Sequence, residues 1–141
     1  MSLLDLPDLI ALVRGWFIGS RRRFAQPVPK VTSDDVQRVV RREFPDEPFA
    51  EIVTLLNEYG VQKWQLDTPR VQLAVLKLAQ GRLEKLRPLV ENAKRDYRDV
   101  LVWAEYPTYH KIGFRVRELP GKEQCRIIDS DWRQYEEWLR G

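Results

Sequence analysis

The chain has 141 residues, 43% of them hydrophobic and 32% charged, with a formal net charge of +3. That length predicts one domain with a real core, and that balance excludes a disordered chain. A single cysteine, Cys125, excludes an intramolecular disulfide and suits a reducing compartment.

The basic excess is local. Residues 1–30 carry five basic and two acidic side chains, while residues 31–141 carry nineteen of each. A body that sums to zero gives no sign of the one-sided charge that nucleic-acid binding needs.

Residues 1–18 read as a short amphipathic helix with Leu6, Leu9, Ile10, Val13 and Phe17 on one stripe. Charges at Asp5, Asp8 and Arg14 exclude a membrane-spanning helix. Basic residues follow the apolar run rather than precede it, which argues against a secretory signal. Ser20 to Phe24 superficially matches a twin-arginine export pattern, but the prolines Pro27 and Pro29 follow it instead of a hydrophobic stretch. The expected organisation is an amphipathic and basic arm over 1–31 and a helical domain over 32–141, in the cytoplasm.

Thr32 or Ser33 can cap the first helix of the body, with Asp34 and Asp35 in its first turn and Val36, Val39 and Val40 inward. Pro48 opens a second helix with Phe49, Ile52, Val53, Leu56 and Tyr59 inward and Gly60 as its stop. Val61 to Leu66 reads as a connector with Trp64 as its anchor. Thr68 and Pro69 start a third helix that is apolar on most sides, and hence central.

From Leu83 to Pro107 the apolar residues fall three and four apart, which predicts one helix of about six turns. Pro88 should kink or restart it. Residues 112–128 leave two readings open. Ile112, Phe114 and Val116 alternate as in a β-hairpin strand, whereas Cys125, Ile128, Trp132, Tyr135 and Leu139 form a clean helical stripe. The helix from Pro120 to Arg140 is the favoured one. The fold class is therefore all-α, with about five helices and an N-terminal arm. Its expected core holds Val39, Ile52, Leu56, Leu73, Leu76, Leu86, Val90, Ala93, Tyr97, Val100, Leu101, Ile128 and Trp132.

The segments Val71 to Leu78, Asp96 to Pro107 and Asp129 to Leu139 resemble a group of small bacterial helical proteins without an assigned activity. The resemblance spans roughly residues 32–140. It implies a helical last segment and a bacterial cytoplasmic setting, and it brings no functional residue with it.

The densest polar and aromatic set holds Asp96, Asp99, Trp103, Glu105, Tyr106, His110, Asp129 and Trp132, with Asp131 alongside. Carboxylates beside aromatic rings can orient a polar or cationic ligand. The plainer reading is rim aromatics and surface ion pairs. His110 is the sole histidine, and no cluster of His and Cys or glycine-rich phosphate loop accompanies it. No metal, cofactor or catalytic residue is implied.

In the arm, Trp16 and Phe17 followed by Arg21, Arg22 and Arg23 can pack on the body, on a second copy, on a protein groove or in a membrane interface. The leading expectation is a non-enzymatic protein-interaction module, partnered by another protein or by itself. Two alternatives stand beside it: a small ligand-binding protein or enzyme around His110, and peripheral membrane attachment through the N-terminal helix. Nucleic acid is the least expected partner.

Overall fold

The computed structural model describes residues 24–141, and the Trp16, Phe17 and Arg21 to Arg23 site lies outside them. The described residues form seven α-helices and no strand: α1 Ser33–Glu43, α2 Phe49–Leu56, α3 Thr68–Ala79, α4 Leu83–Arg95, α5 Tyr97–Glu105, α6 Pro107–Ile112 and α7 Gly121–Arg140. A 3-10 turn over Gly113–Glu118 joins the last two. The described residues are all-α, as their periodicity predicts.

Local chemistry sets the helix ends. Thr32 accepts the Asp34 N–H while Asp35 reaches back to the Thr32 N–H at 2.9 Å, a complete capping box. Helix α3 turns into α4 through Gln80 and Gly81, both at positive φ. A Cβ at Gly81 would sit 3.2 Å from the Glu43 carbonyl oxygen, so side-chain bulk is resisted there.

Helix α3 is the central element. Val71, Leu73, Ala74, Val75, Leu76 and Ala79 are buried, and α3 packs on α1, α4 and α5. Buried Gln72 donates to the Leu56 carbonyl and to the Asn57 side chain, both at 3.0 Å, so its amide is satisfied. The expected core residues are buried except Tyr97 and Trp132, which are half-buried at the rim.

One expectation from spacing fails. The long helix does not restart at Pro88, since α4 runs through that residue. Pro88 and Glu84 both lie on the exposed face, so water can take the Glu84 carbonyl that proline leaves free. The break comes at Asp96, whose backbone is extended (φ −156°, ψ 100°) and whose side chain accepts the Arg98 N–H to start α5. One predicted helix is therefore two, and α6 adds another to the expected count.

Of the two readings left open for 112–128, the favoured helix is found as α7 and no hairpin forms. Gly113 at φ +72° turns the chain, and Val116 is the single buried side chain of the 3-10 turn. Cys125 and Ile128 belong to α7, whose buried residues are Ile128, Asp131 and Tyr135.

Residues 24–31 carry no regular structure but lie on the body. Pro29 is buried, and the Pro27 carbonyl accepts the Tyr106 hydroxyl at 2.7 Å. The Phe24 ring lies against Gly121 at the start of α7, where a Cβ would meet it at 3.1 Å.

Candidate functional site

Two regions compete for the role, one polar and inside, the other apolar and outside. The polar region gathers where α3, α5, α6 and α7 meet. Arg70 in the first turn of α3 grips Glu105 at the end of α5 through two bonds of 2.8 and 2.7 Å. The Glu105 side chain is 2% exposed and that of Arg70 21%, so the forked geometry holds the buried charge.

Asp131, buried on α7, accepts the Tyr109 N–H at 2.9 Å and the Thr108 N–H at 3.3 Å. It thereby caps α6 from a different helix, because the residue at the α6 N-cap, Tyr106, supplies no side-chain cap. Gln134 donates to the Asp131 carbonyl at 2.8 Å and more weakly to those of Ala104 and Glu105 at 3.4 Å.

Burial drives the pKa directions here. It raises the Tyr106 phenol well above its ordinary value, with Glu105 adding to the shift, and does the same to the Tyr135 phenol. It lowers the Lys77 ammonium, against which the neighbouring Asp131 carboxylate acts. The Tyr135 hydroxyl is enclosed and has no hydrogen-bond partner among the described residues.

The predicted site residues mostly turn to separate partners. Asp96 binds Arg98 at 2.9 Å, and that hydrogen bond holds its carboxyl below the usual range. Glu105 is held by Arg70, and Tyr106 by Pro27. Trp103 packs half-buried against the core, and Trp132 stacks with Tyr135 at 6.4 Å between ring centroids. Asp99, His110 and Asp129 are exposed.

What the fold does gather is Glu105 and Tyr106, with Asp129 and Asp131 among the charges acting on Tyr106. Arg70 completes the group and had not been singled out by sequence reasoning. Its signal was available: an arginine in the first turn of a central, mostly buried helix needs a carboxylate partner. Because both Glu105 oxygens are committed to Arg70, the pair offers structural support and no unengaged base.

The apolar region is the loop between α2 and α3. Gln65 is 8% exposed and its side-chain oxygen accepts three backbone N–H groups: Gly60 at 2.9 Å, Val61 at 2.9 Å and Gln62 at 3.0 Å. The Tyr59 hydroxyl donates to the Leu66 carbonyl at 2.7 Å, and its ring packs edge-on to Tyr97. Gly60 at φ +106° permits the turn, and any Cβ there would strike Thr68 at 2.9 Å.

With its polar groups folded inward, the loop turns its apolar side chains out. Val61 is 71% exposed, Trp64 62% and Leu66 52%. Trp64 is thus not the anchor its size implied; Gln65 and Tyr59 anchor the loop and leave Trp64 free to face solvent. Separately, a groove of about 530 Å³ between α2 and α4 is lined by Ala50, Leu55 and Leu83 together with Glu47, Glu51 and Glu58.

Comparison with protein-family models, with curated proteins and with solved structures finds no match. Among the described residues no group of three or more His, Cys, Asp or Glu is placed to hold a metal ion. No helix among them is long and apolar enough to cross a membrane.

Proposed function

We propose that this chain is a non-enzymatic protein-interaction module of a bacterial cytoplasm and that the loop Gly60 to Asp67 is its contact surface. The observation that carries the reading is the exposed set Val61, Trp64 and Leu66 on a loop fastened by Gln65 and Tyr59. Tryptophan is enriched among residues that dominate binding energy. A loop already ordered loses little further freedom when it docks, so more of the contact energy appears as affinity. The partner chemistry that fits is an apolar pocket, on another protein or on a second copy. Asp96, Glu105 and Asp131 are each already engaged by hydrogen-bond donors, so these three carboxylates lend the enzyme alternative no support.

The test is site-specific photo-crosslinking in the host cell, with a photoreactive side chain at position 64 and, as control, at the exposed position 84. A discrete adduct from position 64 and none from position 84 is the expected outcome. Its mass separates a second copy of the chain from a different protein. Equal background from both positions would remove the loop as the contact surface.

A further inference from the structure

A second exposed surface lies at the turn between α6 and α7, and it differs chemically from the Trp64 loop. Phe114 is 87% exposed, the most exposed large apolar side chain among the described residues. Around it Lys111, Arg115, Arg117 and Lys122 are all exposed, and none has an ion-pair partner among the described residues. Residues 109–122 hold these four cations against one acid, Glu118, so the rest of 31–141 is left at −3. A body that sums to zero therefore carries a local positive excess at this turn.

The local geometry explains the display. In a 3-10 turn, residues three apart eclipse one another. Val116 takes the buried edge, which leaves Phe114 and Arg117 together on an outward edge and Arg115 on the third. Gly113 at φ +72° makes the sharp exit from α6, with open space where a Cβ would stand.

We propose that the turn Lys111 to Lys122 docks on an anionic membrane surface, with Phe114 entering the interface and its cations facing lipid headgroups. Peripheral attachment holds when two signals act together, and here an exposed aromatic side chain and a basic cluster share one turn. Nucleic acid fits less well. A strand-binding groove presents successive stacking aromatics, and this turn offers one exposed ring.

The test uses the full-length chain sedimented with vesicles of phosphatidylcholine, alone or with about 30% phosphatidylserine, at low and physiological salt. Partitioning to the anionic vesicles that weakens as salt rises is expected. The triple variant K111Q/R115Q/R117Q should lose about fivefold per charge, on the order of 100-fold in all. Phe114→Ala should lose roughly fivefold. Circular dichroism should show unchanged helix content in both, since these side chains are exposed.

No binding of the full-length chain to anionic vesicles would overturn the proposal. So would a triple variant that partitions like the parent, which would leave attachment to the arm alone. Charge-dependent binding of a single-stranded oligonucleotide without vesicle binding would assign the turn to nucleic acid instead.

Discussion

The interior around Glu105 and the loop around Trp64 use their residues in opposite senses. Around Glu105, polar groups that resemble chemistry are spent on holding helices: Arg70 ties α3 to α5, and Asp131 caps α6 from α7. Around Trp64, apolar groups that resemble core are displayed to solvent, while one glutamine satisfies the backbone behind them. Function is therefore better sought where apolar surface is left uncovered by an ordered backbone than where charge is densest.

The largest effect that separates the two regions is Glu105→Ala. It leaves the mostly buried Arg70 guanidinium with only the looser Asp67 carboxylate at 3.7 Å and should cost about 3 kcal/mol in urea unfolding. A loss well under 1 kcal/mol would mean that the pair does not hold α3 to α5. Gln65→Ala comes next. It frees three N–H groups behind the Trp64 loop and should cost about 2 kcal/mol, with the position 64 adduct weakened as the loop loosens. An adduct of unchanged yield would show that preorganisation does not matter.

Trp64→Ala should change stability by no more than about 0.5 kcal/mol, because the ring is largely exposed, while abolishing partner contact. A large stability loss would place Trp64 in the core after all.

The smallest effect concerns pH. Asp96 has its folded-state pKa lowered, first by the Arg98 side chain and then by the Arg98 N–H. The folded chain thus binds that proton less tightly than the unfolded chain. The contribution is full above about pH 4 and is lost as pH falls through the lowered value. Asp96→Asn should flatten that acid limb slightly in urea midpoints taken across pH; an unchanged limb would remove Asp96 from the acid response.

Most of the helical architecture was readable from periodicity. Helix α3 is central as its apolar run implies, and α7 buries Ile128 and Tyr135 of its expected stripe, while Cys125, Trp132 and Leu139 stay half-buried and Asp131 turns inward. The α4–α5 break was not readable from spacing, since Asp96 keeps the three-and-four pattern on both sides while its carboxylate competes for the Arg98 N–H. Trp64 was misjudged for a related reason. Size predicts burial on average, but a short connector has no second face, and Gln65 took the inward position through its three acceptor contacts. Asp131 was readable as a polar residue near Trp132, yet not as a cap, because α6 lies more than twenty residues away in sequence.

The most direct measurement is amide hydrogen exchange on the free protein at Gly60, Val61 and Gln62, with Gln65→Ala beside it. If the loop is fastened before any partner arrives, these amides should exchange at least about 100-fold more slowly than an unstructured peptide, and Gln65→Ala should remove that protection. Exchange at the unstructured rate in the parent chain would contradict a preformed contact surface.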